Sequence, residues 1–236
     1  LICVYMSRFH EDTARKDFDA LEIFRRQFRS RIDSRLMSWY VDDRIDTPNK
    51  TTCATDGDLD IAYALILAAH EWKVPKYMAE AKKILAGIEA SLIRPDYSLR
   101  RGDWDRDQHA TRLSDIMPTH FDAFAQVSNR KLWRCVKGVH YSILRQMSLY
   151  EGVFPDFVVK GKTGWKPAPP NFLESDYDGM MYYNACRVPW RLAAAVIENS
   201  DKDARHLLRI FNFGIGKVPN DDFMAGYDLD GKPLNE

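Results

Sequence analysis

The chain has no long apolar run and no excess of charge of either sign. Its apolar stretches fall well short of the roughly 20 residues that cross a bilayer, so the sequence predicts no membrane span. Lys and Arg together number 34, as do Asp and Glu, and the basic residues are dispersed along the chain. Because a nucleic-acid interface needs clustered basic residues, the sequence predicts no nucleic-acid partner.

Metal and redox motifs are also missing. The four cysteines (Cys3, Cys53, Cys135 and Cys186) lie far apart without a C-x-x-C pair. The six histidines form no H-x-x-x-H set. Such spacings mark zinc and redox sites, so we predict no metal, no cofactor and free, buried thiols.

The termini and one sequon bear on localisation. The chain opens on Leu1 without a signal-like segment and ends in "GKPLNE" without a helix stop, which is the expected appearance of a fragment cut at both ends. "NKT" at Asn49 is a glycosylation sequon, although such a tripeptide is a weak signal. We expect a secreted protein whose signal region lies outside this chain.

The sequence does contain clear helical periodicity. With 45% hydrophobic and 29% charged residues, 236 residues can form one globular domain over 1–236. Apolar residues recur at helical spacing in windows such as 61–72, 78–92 and 132–147, and strand alternation is scarce. Short turns such as "KVPK" join the windows in pairs. The pattern predicts an all-α array of about eight helices, with one long, aromatic-rich loop at 155–183.

Three carboxylates crowd the start of one window in "ATDGDLDIAYALILAAHEW", at Asp56, Asp58 and Asp60. Acids favour helix N-termini, so capping explains one or two of them. A calcium loop is excluded because its sixth position is Ile61 rather than Gly and its twelfth is Leu67 rather than Glu. The third interpretation is a cleft in which neighbouring carboxylates bind sugar hydroxyls.

This stretch resembles the signature of glycoside hydrolase family 8: Ala, Ser or Thr, Asp, Ala or Gly, Asp, then Ile-Ala and a distant Trp. Further matching segments occur in the family's order: "LMSWY", "GDWD", "TRLSDIMPTHFDAF", "YYNACRVPWRL" and "GYDLDGKPL". The resemblance implies an (α/α)6 toroid of six helical hairpins, truncated at both ends in this chain. It also implies inverting endo-hydrolysis of β-1,4-linked polysaccharides, either chitosan or β-glucan and cellulose.

Inverting hydrolysis needs a general acid and a general base, with carboxyl groups roughly 6.5–9.5 Å apart. The family's acid is a Glu in a Ser-Glu-Gly-x-Gly-Tyr-Gly-Met segment, and "LICVYM" resembles the residues that come immediately after that segment. That Glu is not in this sequence, and the nearest candidate, Glu11, stands among charges like a solvated turn residue. We therefore expect the chain by itself to be inactive.

The base is more informative. One branch of the family uses an Asp just before Ala-x-Arg, where this chain has Asn184, and an amide cannot serve as a base. Another branch has Asn there and takes its base from a Glu in an inserted loop, which "PAPPNFLES" resembles. Its only glutamate, Glu174, is the candidate base, and an exposed loop acid is the alternative.

Asp56 resembles the family's aspartate that grips the sugar at the cleavage point, and we count it with Glu174 as catalytic. The positions assigned to substrate binding are Asp58, Trp39, Trp104, Asp115, Tyr183, Asn184 and Arg187. Each has a plainer alternative: core packing for a Trp, helix capping for an Asp and a structural ion pair for the Arg. Trp72, at helical spacing, is predicted to be core.

The substrate and two rival functions stay open. Acids such as Asp56 and Asp58 suit cationic chitosan, whereas zero net charge argues weakly against it. A glycan-binding toroid without catalysis is the main rival, and a scaffold with no affinity for oligosaccharides is the other.

Overall fold

The computed structural model describes residues 1–41, 51–106, 109–150, 152–216, 218 and 223–234. The sequon residue Asn49 lies outside these ranges. The chain divides into two compact units. Unit 1 comprises Leu1–Arg106 with Ala123–Arg130, and unit 2 comprises Asp107–Asp122 with Lys131–Glu236.

Helices dominate the described residues, as the periodicity predicted. They are α1 Ile2–Gln27, α2 Thr55–Glu71, α3 Pro75–Ser91, α4 Pro118–Val127, α5 Arg130–Met147, α6 Arg187–Asn199 and α7 Lys202–Ile215. The first of them, α1, is interrupted at His10 by non-helical angles (φ −148°, ψ 69°). No helix in the described ranges is long and apolar enough to cross a membrane.

Unit 1 is built around the hairpin of α2 and α3. Lys73 takes a left-handed conformation (φ 55°) in the turn, and Pro75 opens α3, where its missing N–H costs nothing. Trp72 is buried, as predicted, with its ring 5.2 Å from that of Phe18 and its Nε1 donating to Ser7 Oγ at 3.0 Å. The hairpin therefore packs on α1 through aromatic side chains.

Unit 2 contains a small antiparallel sheet that the sequence did not reveal. Its strands, in the order β1-β2-β3, are β1 Ala110–Arg112, β2 Phe157–Lys160 and β3 Trp165–Pro167. Strands of three or four residues are too short to show a period-two pattern. Because β2 and β3 fall within the predicted loop 155–183, this loop is anchored to a sheet.

The α6 and α7 helices of unit 2 form a second hairpin. Ser200 ends α6 in the left-handed region (φ 53°), and Asp201 caps α7 by accepting the Ala204 amide at 3.0 Å. Asp201 also pairs with Lys137 of α5 at 2.7 Å, which ties the hairpin to its neighbour.

Candidate active site

In unit 1 the three signature carboxylates differ in environment. Asp56 and Asp58 lie in the first turn of α2, whose N-cap residue, Ala54, has no side-chain acceptor. Asp56 is half-buried, and its Oδ1 accepts the Gly57 amide at 3.0 Å. Asp60 is also half-buried. Asp56 is thus a partly accessible carboxylate at the start of the buried helix.

Asp58 is the buried member of the trio, with 2% of its surface exposed. Its Oδ1 accepts the backbone amide of Met37 at 2.9 Å, so Asp58 holds the segment before Trp39 rather than capping α2. Burial raises the pKa of Asp58 to about 8, and the nearby Asp103 charge adds to this. Burial, Asp58 and Asp103 likewise raise the pKa of the Cys53 thiol.

Asp103 is a second buried carboxyl group that binds groups before and after Trp39 in the sequence. Its carboxylate accepts the Ser30 hydroxyl at 2.5 Å, the Cys53 amide at 3.0 Å and the Asp33 amide at 3.3 Å. Two buried carboxyl groups, Asp58 and Asp103, therefore fix the backbone that leads to Trp39.

The two candidate stacking residues of unit 1 reach the surface. Trp39 is 64% exposed with its ring 5.5 Å from Tyr40, and Trp104 is 38% exposed beneath the Arg101 guanidinium at 5.1 Å. Exposed aromatic faces of this kind can stack on the apolar face of a sugar.

In unit 2 the candidate base is held by two donors. The Glu174 side chain is 46% exposed; its Oε1 lies 3.5 Å from Arg112 Nη2 and its Oε2 accepts Asn184 Nδ2 at 2.8 Å. The Arg112 guanidinium and the Asn184 amide thus fix one oxygen each of the Glu174 carboxylate. Arg112 also lies 3.9 Å from the Asp115 carboxylate.

The orientation of the Asn184 amide follows from its neighbours. Its Oδ1 accepts Arg187 Nη2 at 2.8 Å, and its Nδ2 donates to Glu174 and to Asp156 Oδ2, the latter at 3.2 Å. Arg187 has only donors and the two carboxylates only acceptors, so a flipped amide would face like groups on both sides. Sequence reasoning placed Asn184 and Arg187 at the site; in the structure Asn184 binds Glu174, and Arg187 binds Asn184.

Asp156 is a site residue that sequence reasoning missed. It is buried and accepts the amides of Tyr182, Asn184 and Ala185 at 2.9, 3.1 and 2.6 Å. Burial raises the pKa of this carboxyl group in spite of those bonds. A lone acid inside the apolar run "VFPDFVV" was the available signal, since a buried carboxylate needs partners.

The remaining predicted residues of unit 2 lie at opposite extremes of exposure. Asp115 is fully buried in a short 3₁₀ helix, Leu113–Asp115. Tyr183 is 64% exposed, with its ring 4.4 Å from Tyr182, which lies 5.0 Å from Tyr177. Within the described ranges, no group of three or more His, Cys, Asp or Glu residues has metal-binding geometry.

Comparison with solved structures places the fold in the class of (α/α)6 toroids, as the sequence predicted. The apo β-1,3-1,4-glucanase of Paenibacillus sp. X4 is 31% identical with a TM-score of 0.91, over 100% of this chain and 66% of that one. The endoglucanase Cel10 of Klebsiella pneumoniae, 21% identical, has a TM-score of 0.78 over 96% of this chain and 72% of that one. The second likeness concerns the fold alone.

The family follows from the sequence match. The model of glycosyl hydrolases family 8 matches residues 3–228, and the chain belongs to this family. A β-glucanase of Niallia circulans is 34% identical over 94% of this chain and 58% of that protein. An endoglucanase of Bacillus sp. strain KSM-330 is 37% identical over 100% of this chain and 53% of that protein. The chain thus spans about half the length of these curated relatives.

Proposed function

We propose that this chain supplies the base-bearing part of an inverting endo-hydrolase that cleaves β-1,4 bonds in a β-glucan, with Glu174 as the general base. One observation carries the proposal: a partly exposed carboxylate is held by Arg112 and by an Asn184 amide whose orientation is determined. Asn184 stands where one branch of the family has its base, and an amide cannot accept the proton. Glu174, which is hydrogen-bonded to that amide, can accept the proton.

The chemistry assigns each group a task. Glu174 takes a proton from a water molecule as that water attacks the anomeric carbon, and the leaving oxygen is protonated from the opposite side by the acid. In the family that acid belongs to a segment that this sequence does not contain. Turnover is therefore expected of the extended protein, meaning a protein that joins this chain to that acid-bearing segment.

Two observations favour a β-glucan over chitosan. The relatives at 30% identity or more carry the names β-glucanase and endoglucanase. Asp58, which had suited a cationic substrate, is buried with its pKa raised to about 8, so it contributes little negative charge at neutral pH. Exposed Trp39, Trp104 and Tyr183 offer stacking surfaces for neutral sugars, and Asp56 offers a carboxylate to sugar hydroxyls.

The test compares Glu174→Gln with Glu198→Gln in the extended protein. Gln keeps the shape of Glu but not its basicity, so turnover of lichenan should fall by roughly 10²–10⁴-fold at position 174. Glu198 is an exposed glutamate on α6 and serves as the matched control. Carboxymethyl cellulose and chitosan, assayed beside lichenan, test the substrate.

Two results would contradict the proposal. Near-native turnover by Glu174→Gln would exclude this residue as the base. Oligosaccharide binding without turnover by the unaltered extended protein would favour a glycan-binding function instead. Proton NMR of the first product adds a stereochemical check, since inversion of a β-linkage releases the α-anomer first.

A further inference from the structure

Asp178 is a buried carboxylate that the proposed chemistry leaves without a task. It is fully buried, and its side chain accepts three consecutive backbone amides of the base-bearing loop. These are Leu173 at 2.5 Å, Glu174 at 2.9 Å and Ser175 at 3.1 Å. The second of these amides belongs to the proposed base itself.

These bonds determine the path of the loop. Three successive N–H groups that converge on one carboxylate restrict the backbone angles of the residues between them, much as an anion does in a backbone nest. A carboxylate suits this place because both of its oxygens accept, whereas an amide would turn donors towards donors. The three amides also compensate the cost of burying the charge.

Asp178 is itself fixed to the sheet. Its carbonyl oxygen accepts the Phe157 amide of β2 at 2.9 Å, and its own amide donates to the Ser175 carbonyl at 3.3 Å. The loop is therefore tied at one point both to its own turn and to a strand. Side-chain positions built on such an anchor scatter less than those on a free loop.

We propose that Asp178 is a positioning residue for Glu174, and this inference rests on the proposed function of Glu174. Asp178 holds the Glu174 backbone at the place from which its side chain reaches Asn184 at 2.8 Å and Arg112 at 3.5 Å. Without that hold, a side chain that is 46% exposed would sample other rotamers and lose both donors.

The test is Asp178→Asn in the extended protein. The amide keeps the size of the side chain but loses one acceptor, so the loop should shift, and displacement of the base should lower kcat on the order of 10²-fold. KM should change little because Asp178 is buried and touches no substrate. The melting temperature is measured in parallel.

Two control variants separate positioning from stability. Asp176→Asn makes the same chemical change at an exposed carboxylate of the same loop, which contacts Asn171, and should leave kcat unchanged. Asp201→Ala removes the side-chain cap of α7 and the ion pair with Lys137, so it should lower the melting temperature without lowering kcat.

A double-mutant cycle distinguishes a role that acts through Glu174 from a purely structural role. If Asp178 acts through Glu174, then adding Asp178→Asn to Glu174→Gln should cost no further turnover. An equal loss in both backgrounds, or native kcat in Asp178→Asn, would overturn the inference while the role of Glu174 stands. Native turnover by Glu174→Gln would overturn both.

A second variant covers the case in which Asp178→Asn does not fold. Asp178→Glu keeps the charge and both acceptors but displaces the carboxylate by one methylene, so kcat should fall with a smaller loss of stability. Native kcat in this variant would equally overturn the inference.

Discussion

Asp58→Asn should change how the stability of the chain depends on pH. Asp58 is buried in unit 1, and its carboxyl group accepts one backbone amide, that of Met37. Burial raises its pKa from the usual 3.8 to about 8, so the folded chain keeps the neutral acid at neutral pH. The unfolded chain, by contrast, ionises at its ordinary pKa.

The direction and size of this pH dependence of stability follow from proton linkage. Between the two pKa values the folded state binds one proton more than the unfolded state, so stability falls as pH rises, by about 1.4 kcal/mol per pH unit. The contribution of Asp58 is fully present below 3.8 and lost by about pH 8. Between pH 5 and 8 the loss is about 4 kcal/mol. Asn does not ionise, so the stability of the variant should lack this pH dependence. The stability of Asp58→Asn relative to the unaltered chain should therefore increase as pH rises.

Urea denaturation at pH 5, 6, 7 and 8, followed by far-ultraviolet circular dichroism, measures the difference directly. Asp105→Asn is the control of opposite sign. Burial alone would raise the pKa of Asp105, but hydrogen bonds and charge from Arg101 and Arg94 outweigh burial and hold that pKa below its usual value. The Asp105 carboxylate loses its contribution to stability only in acid. The stability difference between Asp105→Asn and the unaltered chain should therefore stay constant from pH 5 to 8. A flat difference for Asp58→Asn, within about 0.5 kcal/mol, would refute the reasoning.

Two further predictions concern the stability of unit 1. Arg94→Met leaves the buried Asp105 carboxylate with Arg101 as its remaining guanidinium partner, and it should lower the free energy of unfolding by about 3–5 kcal/mol. Urea denaturation measures this loss, and a loss below about 1 kcal/mol would contradict the prediction. Gly102→Ala would drive a Cβ into the Cys53 carbonyl oxygen and should cost about 1–3 kcal/mol, whereas Gly57→Ala, with open space around its Cβ, should be neutral or slightly stabilising. Equal melting temperatures for the two glycine variants would contradict this difference.

Much of the fold could be predicted because its helices carry a strong local pattern. The α5 helix shows sustained 3.6-residue periodicity, and Pro75 marks the start of α3. The sheet could not be predicted, because β1, β2 and β3 derive their stability from pairing between distant segments rather than from local pattern.

Some residues of the candidate site could likewise be predicted from the sequence, and others could not. Glu174 could be singled out because Asn184 cannot be a base and because the surrounding loop resembles a family insertion. Arg112 and Asp178 could not be singled out. Arg112 reaches Glu174 from a strand that is distant in sequence, and Asp178 binds backbone amides, which leave no mark on the side-chain pattern. Their roles emerge only when hydrogen-bond partners are known.

The identity of residue 184 determines whether an ionised loop Glu can lie beside it. If residue 184 carried a carboxylate, one of its oxygens would lie 2.8 Å from Glu174 and 3.2 Å from Asp156. The two hydrogen bonds that the Asn184 amide donates there would be lost. Like charges at that separation repel by several kcal/mol at an effective dielectric constant near 20, and Arg187 alone would offset only part of this. A chain with Asp at this position therefore has no place for an ionised loop Glu beside it. With Asn184, the same position instead donates a hydrogen bond to Glu174, as the proposed role of Glu174 requires.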